Sequence, residues 1–175
     1  MAQGSYIGPL LFAILISSLK PLKSCTTLIK YADDVSILTR ITPSQDFTQL
    51  EYNHVAKWAS DHGMSLNFSK TLVVNFSTKR QKNFVTLVHS NNEPIRTMDS
   101  CKILGLTIHN NLKWSGHVAY VTAKANKLLI FVLQLRRSGC SISQCWTFHN
   151  AIIRSILCYA WPAFMNISRG EFNNI

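Results

Sequence analysis

The chain has 175 residues, 47% of them hydrophobic and 15% charged, which is enough apolar material to bury a core and excludes intrinsic disorder. Eighteen Lys and Arg stand against eight Asp and Glu, a formal net charge of +10. The longest apolar run, about residues 7–16, is shorter than the ~20 residues that span a bilayer, and no basic segment opens the chain, so neither a membrane protein nor a secretory signal is expected.

Gly8-Pro9 before Leu10-Leu11-Phe12-Ala13-Ile14-Leu15-Ile16 predicts a helix with proline in its first turn, where the missing N–H costs nothing. Lys20-Pro21 ends it, and its all-round apolarity predicts burial. Residues 26–31 and 35–39 are β-branched and apolar, and Ala32-Asp33-Asp34 separates them: a hairpin. A helix is expected over 43–62, with Thr42 and Gln45 as a capping box, Pro43 at the first position and Gly63 as the stop. Phe47, Leu50, Val55, Trp58 and Ala59 form its inward stripe.

Short strands follow at 72–76, 84–88 and 102–108, with a turn at Asn91-Asn92-Glu93-Pro94. From about Trp114 the pattern becomes helical, Val118, Val121, Ala125, Leu128, Leu129 and Val132 recurring until Ser138-Gly139. A second helix is expected over 143–159, broken at Pro162. The fold class is therefore α+β, with a mixed unit over 1–110 and a helical unit over 111–175. Trp114, Trp146 and Trp161 are expected in the core.

The positive charge is uneven. Residues 1–62 balance Lys20, Lys23, Lys30, Arg40 and Lys57 against Asp33, Asp34, Asp46, Glu51 and Asp61. The whole excess lies after residue 62, which suggests a polyanionic partner or a solvated basic surface. The five cysteines (Cys25, Cys101, Cys140, Cys145, Cys158) are scattered, with no CxxC pair. They indicate neither a disulfide framework nor a four-ligand zinc site, and Cys140, Cys145 and His149 lack a fourth ligand. Free thiols fit a reducing intracellular compartment, nucleus or cytoplasm.

An Asp pair between strands is by itself ordinary turn chemistry. Adjacent carboxylates at a rigid hairpin tip also suit Mg²⁺, which takes hard oxygen ligands and completes its shell with water and phosphate. Context separates the two. Tyr31-Ala32-Asp33-Asp34 resembles the YxDD box of reverse transcriptases, and residues 3–12 (QGSYIGPLLF) resemble a segment lying upstream of it in those enzymes. Residues 63–71 (GMSLNFSKT) are similar to their LNxxKT box and 102–108 to the "YLG" strand. Residues 112–117 and 153–162 resemble the corresponding segments of non-LTR (LINE-type) retrotransposons. A group II intron maturase shares the YADD box but not these last two segments. Each box alone is weak, whereas all of them in order along nearly the whole chain are strong.

The resemblance implies a partial polymerase palm, an antiparallel sheet with helices on one face, followed by a helical thumb. Asp33 becomes the direct ligand of Mg²⁺ (or Mn²⁺), with Asp34 beside it. Tyr31 faces the primer end, while Gln3, Gly4 and Ser5 border nucleotide and template. Lys70 lies near the leaving pyrophosphate, and Leu104 and Gly105 mark the primer grip. Lys124, Lys127, Arg136 and Arg137 meet the nucleic-acid backbone. The partners implied are an RNA template, a DNA primer, dNTP and an N-terminal fingers and palm portion, with no membrane.

The same resemblance places another catalytic aspartate on a strand before QGS, where this sequence has only Met1 and Ala2. Asp46, Asp61 and Asp99 do not substitute for it. The expectation is a truncated or decayed copy that cannot polymerise alone and leaves an apolar sheet edge exposed. The alternative is a non-catalytic nucleic-acid-binding remnant.

Overall fold

The computed structural model describes residues 6–42, 45–77, 86–89 and 91–164. Helix and strand are mixed along the chain, an α+β fold. It divides into two compact units, Met1–Val73 with Val85–Arg96, and Val74–Phe84 with Thr97–Ile175.

The first unit opens with α1 (Gly8–Ser17), which has Pro9 in its first turn as expected. Its predicted burial does not hold: Ile16 is buried, but Leu10, Leu11 and Ile14 are exposed. A helix apolar on every side presents more surface than one flanking element can cover. β1 (Thr26–Tyr31) and β2 (Asp34–Thr39) form the predicted antiparallel hairpin, in register from Thr26↔Thr39 to Tyr31↔Asp34. Ile29 and Leu38 are exposed on one face of this two-stranded ribbon.

α2 spans Thr48–Asp61, starting later than the sequence pattern suggests. Thr42 and Gln45 do not cap it. Their backbones exchange hydrogen bonds of 3.0 and 3.1 Å, and Asp46 Oδ1 instead accepts the Thr48 N–H at 2.9 Å. Pro43 lies outside the described residues. Val55 and Ala59 are buried as expected and Phe47 and Trp58 half-buried, but Leu50 faces solvent and Glu51 and Tyr52 take the inward positions. Tyr52 packs with Leu87 and Ile95, and Ile37, Leu66 and Val73 close around them, so the hairpin rests on α2 through Ile37.

The expected strand at 72–76 shortens to β3 (Leu72–Val73). Of 84–88, the first two residues lie outside the described set, and Val88 makes an isolated bridge to Pro94. The Asn91–Pro94 turn forms as expected, with Asn92 at φ 66° and the His89 N–H donating to Glu93 O at 2.8 Å. β4 (Arg96–Thr97) follows.

In the second unit the expected single strand over 102–108 is a hairpin, β5 (Ser100–Ile103) against β6 (Leu106–His109). Leu104 and Gly105, at φ 48° and 85°, are its two-residue turn, with the positive φ at both positions that a type I′ turn requires. α3 (Ser115–Arg137) buries His117, Val118 and Ala125, half-buries Val121, Leu128 and Val132, and leaves Leu129 exposed. By length and composition α3 is apolar enough to cross a membrane. A search for unbroken apolar runs passes over it because Lys124 and Lys127 interrupt the pattern.

The second predicted helix is continuous but composite. α4 (Ile142–Phe148) passes through a π-helical stretch, His149–Arg154, into α5 (Ser155–Cys158), and all three pack on α3. Ser141 and Gln144 form a reciprocal capping box at its start. Trp114 and Trp161 are half-buried, but Trp146 is 64% exposed, against the core expectation, and stacks on His149 at 5.3 Å.

Candidate catalytic hairpin and nucleic-acid-facing elements

The β1–β2 turn consists of Ala32 and Asp33 alone, because Tyr31 pairs directly with Asp34. Ala32 sits at φ 49°, and Asp33 is not among the positive-φ residues. With the strands paired right up to this two-residue turn, the carboxylates sit at the end of a hydrogen-bonded ribbon rather than on a long loop. Asp33 and Asp34 are both exposed, and among the described residues neither enters an ion pair or a side-chain hydrogen bond. Tyr31, beside them, is 63% exposed.

Below the tip, Lys30 fastens the hairpin to the rest of the unit. Its Nζ donates to Ile16 O at 2.8 Å and Leu19 O at 2.9 Å, taking up carbonyls at the end of α1. Partial burial, with the Lys20 charge second, lowers its pKa. α2 grips the chain just after α1 from the other side. Glu51 Oε2 and Oε1 accept the Leu22 and Lys23 N–H groups at 3.1 and 2.7 Å, His54 Nε2 lies 3.0 Å from Lys20 O, and Trp58 Nε1 donates to Ser18 Oγ at 3.1 Å. The sequence reading missed Lys30 and Glu51, because their partners are backbone groups far along the chain.

Lys70 is exposed on a turn organised by Asn67. Asn67 O accepts the Lys70 and Thr71 N–H groups at 3.1 and 3.0 Å, and its Oδ1 accepts from Ser69 Oγ at 2.7 Å. Arg96 Nη2 holds Ser69 O at 2.7 Å. Gln3, Gly4 and Ser5 lie outside the described residues.

The two carboxylates could supply hard oxygens for one side of a Mg²⁺ shell, since that ion commonly takes one or two carboxylates and completes its coordination with water and substrate phosphate. The donor chemistry fits. No cluster of three or more His, Cys, Asp or Glu that could hold a metal ion occurs among the described residues, so further ligands have to come from substrate, water or another segment.

In the second unit, Leu104 and Gly105 form the apex of the β5–β6 hairpin. Lys124, Lys127, Arg136 and Arg137 are exposed along α3. Arg136 is partly committed elsewhere, since its Nη1 donates to Cys140 O at 3.0 Å just past the end of α3. Lys102 lies over the Tyr120 ring, 5.2 Å from its centroid, and adds a cation near the base of α3.

The class follows from a family match. Residues 1–108, most of the chain, match the reverse transcriptase (RNA-dependent DNA polymerase) family model, and the chain belongs to that family. The chain is also similar to an RNA-directed DNA polymerase from the mobile element jockey of Drosophila melanogaster, at 23% identity over 189 aligned residues. That alignment covers 99% of this chain and 20% of the relative, so the chain spans about a fifth of the curated polymerase's length. The likeness to a mobile-element polymerase agrees with the non-LTR retrotransposon resemblance of the sequence motifs. No solved structure matches the chain.

Proposed function

We propose that this chain is the palm-and-thumb part of a retrotransposon polymerase that copies RNA into DNA. The observation carrying the proposal is a pair of exposed, unpaired carboxylates, Asp33 and Asp34, on a tight two-residue turn that Lys30 braces against α1. Asp33 and Asp34 hold the metal side of the site, with Asp33 as the direct ligand. Mg²⁺ (or Mn²⁺) bound there would supply charge neutralisation for phosphoryl transfer. Tyr31 borders the primer end. Lys70 offers its ammonium to the departing pyrophosphate, and Gln3, Gly4 and Ser5 line the nucleotide and template path.

Leu104 and Gly105 touch the primer strand, and Lys124, Lys127, Arg136 and Arg137 neutralise phosphates of the RNA–DNA hybrid. The partners are an RNA template, a DNA primer, dNTP and an upstream polymerase portion contributing a further carboxylate, with an intracellular site of action. Two-metal chemistry needs ligands converging on both ions, and Asp33 with Asp34 supplies one arm. These 175 residues by themselves therefore bind hybrid without extending it. The basic excess after residue 62 also supports a second reading, a non-catalytic nucleic-acid-binding remnant.

Primer extension and binding, measured together, test the proposal. The 175 residues should bind an RNA–DNA hybrid with an affinity that falls steeply with salt. The slope of log K against log salt should drop by about 0.7–0.9 for each of Lys124 and Lys127 changed to Ala. Extension by these residues alone that disappears in Asp33→Ala would overturn their inactivity while supporting the polymerase ancestry. Absence of salt-dependent hybrid binding would remove both readings.

A further inference from the structure

From the geometry of the second unit we infer that Tyr159 is a positioning residue for the primer strand, acting through the apex of the β5–β6 hairpin. The inference rests on the proposed reading of that apex as a primer contact. α5 stops at Cys158, Tyr159 turns to an extended ψ of 125°, and Ala160 follows at φ 55°. This abrupt exit carries the Tyr159 ring off the helix end and onto the hairpin tip. Its hydroxyl donates to Leu104 O at 2.7 Å.

The ring also lies against Gly105, where an added Cβ would come within 3.2 Å of Tyr159 Cε1. The φ of 85° favours glycine there, and a Cβ would make the ring give way by a few tenths of an ångström. Tyr159 itself is 55% exposed, so core packing does not explain its placement; its specific partners are the two apex residues. β6 already packs on α3, with Thr107 N donating to His117 Nδ1, and Tyr159 adds a second tie, from the hairpin apex to the end of α5, which itself packs on the helix that carries Lys124 and Lys127.

The test uses the full 175-residue chain and two fluorescent probes, an RNA–DNA hybrid with a recessed DNA 3′ end and the same hybrid closed by a blunt end. The unmodified chain should prefer the recessed end. Tyr159→Phe keeps the ring and loses one hydrogen bond, so it should reduce that preference about three- to tenfold while leaving blunt-end affinity at the parent value and lowering thermal stability only by the small amount one lost hydrogen bond accounts for. Gly105→Ala, which pushes the ring aside, should reduce the preference at least as far. If Tyr159→Phe keeps the full preference, or weakens both probes equally, the positioning role is wrong and the primer-contact reading stands. If the unmodified chain shows no preference for the recessed end, the primer-contact reading fails first.

Discussion

Glu51 is 0% exposed, and its carboxylate is shared between two backbone donors, Leu22 N and Lys23 N. Hydrogen bonds to a charged group contribute about 1.5–3 kcal/mol each, and a buried N–H left without its acceptor costs a comparable amount. Glu51→Ala removes both bonds at once and opens a cavity where the side chain stood. Alanine's better helix propensity returns about 0.4 kcal/mol, and water reaching the partly buried Leu22 and Lys23 amides recovers part of the rest. A net loss of about 3 kcal/mol remains. Glu51→Gln keeps one acceptor oxygen but turns an NH₂ toward the second donor, for a loss of about 2 kcal/mol. Urea unfolding followed by circular dichroism gives both values, and hydrogen exchange at Leu22 and Lys23 localises them. A loss below about 1 kcal/mol for Glu51→Ala, with unchanged protection of those two amides, would show that this carboxylate does not anchor the chain between α1 and β1.

Two further outcomes follow from single positions. Ala32 occupies the left-handed region at φ 49°, at a strain of about 1–2 kcal/mol that glycine would not carry. Ala32→Gly should raise the midpoint of thermal unfolding, by about 0.5 kcal/mol in stability after glycine's larger unfolded-state entropy is subtracted; a clear loss would mean the turn differs from the one described. His117 is buried with Nδ1 accepting from Thr107 N at 3.3 Å, and burial, then the Lys102 charge, lowers its pKa below the ordinary value of 6.5. The unfolded chain then binds the proton more readily than the folded one, so stability is full above about pH 6.5 and declines as pH falls from there toward the folded-state pKa. Urea midpoints measured between pH 7.5 and 5 should fall with acid, and His117→Asn should flatten the part of that decline below pH 6.5.

The sequence made the β1–β2 hairpin legible because β-branched residues flank a short acidic break, and the motif order around Asp33 and Asp34 named the family. Burial was less legible. The run from Leu10 to Ile16 marks a helix, yet whether its faces are covered depends on neighbours that a local pattern does not contain. Glu51 reads as a solvated charge, because its compensating N–H groups are 28 and 29 residues away and belong to no side chain. The β5–β6 turn was hidden for another reason: Leu104 at φ 48° gives no compositional hint, so an apolar stretch around one glycine reads as an unbroken strand. Tyr159 lies 55 residues from the carbonyl it holds, beyond any spacing rule.

Paramagnetic Mn²⁺, titrated into the isotopically labelled chain in the presence of an RNA–DNA hybrid and dNTP, most directly tests Asp33 and Asp34 as the metal-holding pair. Amide signals from Tyr31 to Ser36 should broaden first, excess Mg²⁺ should restore them, and Asp33→Asn should abolish the effect with the hairpin still folded. Broadening that begins elsewhere, or that survives Asp33→Asn unchanged, would contradict the account.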